Sequence, residues 1–403
     1  MGGRLALSLA ALLLAAGLLT SCSIVTLPPQ AVRHDPSLAR GGALGYVACP
    51  NAVTPVELAT RTAEAEIPLP ISGTPVLGNF AIATSSDGRW AYVVTSNGVP
   101  ASSSGTATTV DPATESATQH SASSSTSTVL TSRGIENVVI PIDLVAQRAL
   151  RPIPIPGEGG THAIVVVDGG REVLASSGTM IVPIDVRSRR VGRPLDLGPG
   201  RTIFGMAVQS AGSTLYALVA GGLFPVDTVR STVGAEIPTG LSVSSVYSPH
   251  GLAVATDGST LYVVGQGGVD FGGRVLLIAS ATGASEGTAS FDKFGIADPA
   301  AVAVSGDGSS LLVVDSANNW VNPVPLGSLA DPPAPVRLPE TTTTASASGT
   351  EHPTDIVVGP GDTGAFVVDG FSEVIPYAPA SGRFGSPIGV CSGASSMAVA
   401  PAP

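Results

Sequence analysis

Proline stands at residues 141, 183 and 225, 42 residues apart each time, always inside an apolar run that otherwise reads as a β-strand: "VVIPIDL", "MIVPIDV" and "GLFPVDT". The pattern recurs at Pro55, Pro323 and Pro376. Proline lacks the N–H that a ladder needs, so an interior strand tolerates it only where no partner waits for that donor. Six occurrences at related positions describe one repeated unit. A repeat of about 40 residues restricts the fold to solenoids, propellers or arrays. Each proline is expected to face a short, ragged outer strand, itself broken by prolines such as Pro152, Pro154, Pro194, Pro238 and Pro387.

Each unit holds an apolar run, a Gly-containing turn, a second apolar run, the proline strand and a last strand rich in Pro and Ile. The turn is clearest in "IATSSDGRWAYVV", "LAVATDGSTLYVV" and "VAVSGDGSSLLVV". Asp-Gly between alternating apolar runs is a hairpin signal, so Asp87, Asp257 and Asp307 are turn formers rather than catalytic or metal-binding carboxylates. The chain carries 49 Gly and 34 Pro against 4% aromatic residues, which favours many short strands over packed helices. Four strands per unit is the make-up of a propeller blade.

This pattern, an apolar strand, an Asp-Gly turn, an "LYVV"-like strand and then "V-x-P-I-D", resembles the YVTN repeat of secreted bacterial β-propellers, a group akin to the lactonase-type propellers. The resemblance covers essentially everything after residue 43 and consists of packing and turn residues, so it implies a fold and transfers no site motif. Complete units begin near Phe80, His162, Phe204, His250, Ala300 and Thr354. Residues 42–70 supply second, third and fourth strands without a first, and residues 395–403 supply a first strand alone. The expectation is therefore an all-β, seven-bladed β-propeller with four-stranded blades, closed by N- and C-terminal strands sharing one blade.

The N-terminus has one basic residue, Arg4, then an apolar run from Leu5 to Leu19, the form of a secretory signal. Its ending, Leu19-Thr20-Ser21-Cys22, resembles a bacterial lipobox. That implies residues 1–21 as a lipoprotein signal peptide, Cys22 as the lipidated residue, 22–42 as a flexible tether and 43–403 as the propeller, held on the outer side of the cell membrane by its lipid. Cys49 and Cys391 remain, both in an oxidising compartment. Cys49 ends the second strand of the composite blade and Cys391 precedes its first, so a disulfide between them would staple the ring; two buried thiols are the alternative. Two inserts break the period. Residues 99–133 are Ser/Thr-rich with almost no large apolar side chains, and are expected to be disordered and open to O-linked sugar; residues 340–351 are a shorter version.

Formal net charge is -11 and the basic residues, with Lys293 the only lysine, are scattered along the chain, which speaks against nucleic acid as a partner. Propeller function concentrates where the innermost strands begin. The repeat alignment puts Phe80, His162, Phe204, His250, Ala300, Thr354 and Ser395 there, with His352 and Asp298 just outside. His162, His250 and His352 belong to blades 2, 4 and 6, and a three-histidine metal site with an open position is the sharper alternative to a wet, polar funnel beside Phe80 and Phe204. The funnel is the reading adopted, with no cofactor or metal. Asp298 and Glu351 are read as solvated carboxylates rather than an acid/base pair, and Trp90 and Trp320 as packing between blades. These residues point to a monomeric, non-enzymatic scaffold that binds a protein or carbohydrate; the alternative is a lactonase-like hydrolase or a lyase working at the channel mouth.

Overall fold

A computed structural model describes residues 42–71, 80–97, 136–157, 159–167, 170–209, 212–242, 251–267, 272–295, 298–339 and 352–400. Residues 39–403 form one compact unit, and the ring is complete within it. The leader, Cys22, almost all of the tether and both inserts lie outside the described residues, as do His250 and Glu351. Among the described residues no helix is long and apolar enough to cross a membrane.

Seven antiparallel sheets stand around a central channel as the blades of a β-propeller. Blade 1 shows the plan: Ala81–Thr84 lies innermost, Trp90–Asn97 and Glu136–Asp143 follow, and Arg148–Ala149 with Ile153–Ile155 make a divided outer strand. The composite blade is also present. Leu44–Ala48 pairs with the N-terminal Ala52–Glu57 on one side and with the C-terminal Ser396–Ala400 on the other, from Leu44 opposite Ala400 to Ala48 opposite Ser396.

Alternation of side chains along strands buried on both faces produces seven apolar layers, one between each pair of blades. In Trp90–Asn97 the side chains of Ala91 and Val93 enter the layer shared with the composite blade, while Tyr92 and Val94 enter the layer shared with blade 2. Trp90 packs in the latter and Trp320 between blades 4 and 5, as expected. Sharing the core among interfaces makes each blade depend on its neighbours.

The three Asp-Gly corners form as expected, but each is a β-turn closed by a left-handed glycine. Gly88 N–H donates to the Ser85 carbonyl at 3.0 Å, and Gly88, Gly258 and Gly308 have φ of 67°, 76° and 70°. At the blade 5 corner the Asp307 carboxylate accepts from Ser305 Oγ at 2.6 Å and from the Ser309 N–H at 3.0 Å. Those bonds, the Ser305 hydroxyl foremost, hold its pKa down at about 2.

The prolines sit where the outer strand breaks. Pro183 lies between the two outer pieces, Arg190–Val191 and Leu195–Asp196, and its carbonyl accepts from Gly192 N–H at 2.8 Å. Pro55, Pro141, Pro225 and Pro376 receive the same bond, from Glu64, Leu150, Gly234 and Gly385. One correction follows from blade 4. There Leu277 replaces the proline and is paired on both sides, with Tyr262 inside and Gly287 outside, in an outer strand that runs unbroken from Ser285 to Ser290 apart from a bulge. The gap is thus no fixed property of blade geometry. It accompanies the proline, and a residue with an N–H at that position goes with a continuous strand.

Two side chains bracket the seam. Buried Asp355 in blade 6 accepts Met397 N–H at 2.8 Å, and Thr84 in blade 1 donates to the Val399 carbonyl at 2.8 Å. Cys49 and Cys391 form a disulfide with their Cα atoms 6.0 Å apart. Gly45 leaves room here for the end of the Met397 side chain, which would have to move aside for a Cβ.

Candidate functional site at the channel mouth

The residues that open the innermost strands are mostly buried. Phe80, Ala300, Thr354 and Ser395 are all buried. His162 is only 7% exposed, and its ring packs on Phe204 with centroids 5.8 Å apart and planes tilted by 32°. Its backbone N–H donates to Ser176 Oγ at 2.9 Å. Burial lowers the His162 pKa from its ordinary value, which keeps the imidazole neutral. The wet funnel expected from the sequence is therefore closed over at these positions.

His352 stands apart from that ring, exposed, between the hairpins of blades 5 and 6. Its Nδ1 lies 3.0 Å from the Ser316 carbonyl oxygen. A carbonyl only accepts, so the neutral ring carries its proton on Nδ1 and leaves the Nε2 lone pair to solvent or a ligand. Ser316 also donates through Oγ to Asp298 Oδ2 at 2.9 Å, which fixes Asp298 on the same hairpin. On the other side the blade 6 hairpin closes against His352: Gly370 has φ of 80°, and a Cβ on it would lie 2.5 Å from the His352 carbonyl oxygen. The next residue, Phe371, is 48% exposed. The Phe371 carbonyl accepts the N–H groups of Gly393 and Ala394, so the ring stands on the side of blade 6 that meets the composite blade, whereas His352 stands on the side that meets blade 5.

The neighbouring carboxylates serve the backbone. Asp369 Oδ1 accepts the N–H groups of Phe371, Ser372 and Glu373 at 2.8, 3.0 and 2.9 Å, which shapes the loop that presents Phe371. Asp315 does the same for Ala317 and Asn318 in blade 5; burial raises its pKa, against the lowering effect of Asn318 and the turn N–H groups. Sequence reasoning missed both, although Asp followed by small or amide residues is a turn signal.

Below the mouth the side chains that line the channel, about 490 Å³, are almost all aliphatic. One tier is small: Ala83, Val165, Ala303, Val357 and Ala398. The next is Thr84, Val166, Val208, Val304, Val358 and Val399, and the only hydroxyl among them is held by Val399. This lining was legible as the recurring "AV" or "VV" of the first strands, yet the sequence reading stopped at the mouth.

Of the three candidate metal ligands, His162 faces Phe204 and His352 faces blade 5, while His250 lies outside the described residues. No group of three metal-ligating side chains occurs among the described residues.

No family model and no curated protein matches this chain. Solved structures do. The periplasmic gluconolactonase of Pseudomonas aeruginosa aligns with a TM-score of 0.60 at 14% identity, over 90% of this chain and 100% of that one. A putative 6-phosphogluconolactonase from Bacteroides uniformis gives 0.57 at 14% identity, over 89% and 100%. Hydrazine synthase of Kuenenia stuttgartiensis gives 0.55 at 13% identity, over 88% and 94%. The chain is built like the lactonase-type seven-bladed propellers. At these identities the likeness speaks for the fold.

Proposed function

We propose that this protein is a lipid-anchored, extracytoplasmic propeller that binds a carbohydrate or protein partner at the blade 6 rim of its channel mouth, without chemistry of its own. The observation that carries the reading is the exposed ring of Phe371, presented on a loop that buried Asp369 shapes through three N–H groups. An exposed aromatic face on a hydrogen-bonded loop suits a sugar ring, which stacks its C–H face and hydrogen-bonds at its edge. Among the described residues that line the channel beneath, no side chain is an acid or a base. A glycan array probed with the secreted protein tests this: a defined glycan set retained by the wild type and lost in Phe371→Ala supports it, and retention unchanged in that variant ends it.

The second reading is a lactonase-like enzyme, favoured by the named activities of two fold neighbours and by the open Nε2 of His352. Hydrolysis of sugar lactones by the wild type that disappears in His352→Gln would replace the scaffold reading.

A further inference from the structure

Arginines that look scattered in the sequence are gathered in space. Arg148 and Arg151 lie in and beside the outer strand of blade 1, and Arg187, Arg190 and Arg193 in the turn and outer strand of blade 2; all five are exposed. Between them Arg189, held at φ 56°, donates from its guanidinium to the Arg151 carbonyl and ties the two blade edges together. None of the six forms a salt bridge with a described residue. Of the acids around the strip, Asp143 and Asp185 accept N–H groups in their own turns, Glu172 lies opposite Asp185 on the neighbouring strand, and Glu64 lies near Tyr46, whose hydroxyl meets Gln147. In a chain of net charge -11 the six arginines still outnumber these four acids, a local excess of positive charge.

The strip is not purely polar. Val145 is 61% exposed at the turn beside Arg148, and Val191 is 37% exposed between Arg190 and Arg193. Val229 occupies the matching turn tip of blade 3 at 80% exposure. A soluble polyanion would satisfy the guanidiniums and leave these valines in water. A bilayer surface takes both, with phosphodiesters on the arginines and the valines at the headgroup boundary. The strip also lies at the end of the blades opposite the mouth: the turns that carry Val145 and Arg187 pack beside the Asp-Gly corner and its blade 2 counterpart, through Leu144 N–H to the Arg89 carbonyl and Val186 N–H to the Arg171 carbonyl.

We infer that the arginine edge of blades 1 and 2 is a docking surface for an anionic phospholipid bilayer, which turns the channel mouth away from the membrane. This stands independently of the ligand at the mouth and of the N-terminal lipid, because it concerns the propeller itself.

The test uses residues 39–403, which contain the whole ring. Sedimentation is measured with vesicles of phosphatidylcholine alone and of phosphatidylcholine with equimolar phosphatidylglycerol. Binding to the anionic vesicles only is expected, weakened at high salt. Arg187→Glu/Arg190→Glu/Arg193→Glu should lower it about a hundredfold or more, while the charge-matched Lys293→Glu/Arg337→Glu/Arg383→Glu, elsewhere on the ring, changes it far less. Thermal denaturation of both variants shows that they fold. Equal loss in the two variants, or no vesicle binding by the wild type, overturns the inference. Retention on dextran sulfate without vesicle binding reassigns the strip to an acidic polymer.

Discussion

The disulfide can be tested in quantitative terms. Cys49 and Cys391 are separated by 342 residues, and in the chain-entropy treatment a loop of that length removes about 6 kcal/mol of denatured-state freedom, whereas measured bridges reach about 5 kcal/mol. The bridge is buried between blade 6 and the composite blade, so Cys49→Ala/Cys391→Ala also loses some packing. Refolded, reduced wild type keeps the sulfur atoms and isolates the covalent contribution. For a chain of this size about 5 kcal/mol corresponds to a fall in Tm on the order of 10 °C. The assay is thermal and urea denaturation of oxidised wild type, reduced wild type and the double variant, with a thiol titration of each. If reduction releases both thiols yet moves Tm by less than about 2 °C, the hydrogen-bonded seam alone holds the ring and the reasoning fails.

Other outcomes follow from particular residues. Arg61, Gln147 and Ser231 adopt φ of 58°, 49° and 53° at the turn position that Gly283 and Gly382 occupy in blades 4 and 6; replacing each by Gly should raise stability by about 0.5–1 kcal/mol in urea titrations. Asp355→Ala leaves the buried Met397 N–H without its acceptor and should cost about 2–3 kcal/mol. His162 is held neutral by burial, so the unfolded chain binds more protons as pH falls below about 6.5. Stability should therefore drop from about pH 6.5 downward through the lower folded value, and His162→Phe should flatten that slope when urea midpoints at pH 5 and 7.5 are compared.

The sequence carries the fold because the blade is written in short-range terms. Asp87-Gly88, the spacing of Pro141, Pro183 and Pro225, and the orphan strand at 396–400 each report on a local turn or edge, and their repetition counts the blades. The site is harder to read because its residues meet only across blades. His352 is set by the Ser316 carbonyl, 36 residues away, and no pattern of side chains announces a backbone acceptor. Arg151 and Arg189 are 38 residues apart and touch because one blade follows another. Leu277 shows the converse limit: a missing proline was visible, but the unbroken outer strand that goes with it was not.

The composite blade also fixes when the fold can be finished. Leu44–Ala48 must wait for Ser396–Ala400, at opposite ends of the described chain. Loop-closure entropy makes so distant a pairing slow, and the waiting edge is open to strands from other chains. During synthesis Ser396–Ala400 follow Leu44–Ala48 by about 350 residues, so a chain arrested or clipped before them lacks that strand however well the other blades have formed. Quality control of such a protein can therefore be read at a single place, the free edge of Leu44–Ala48.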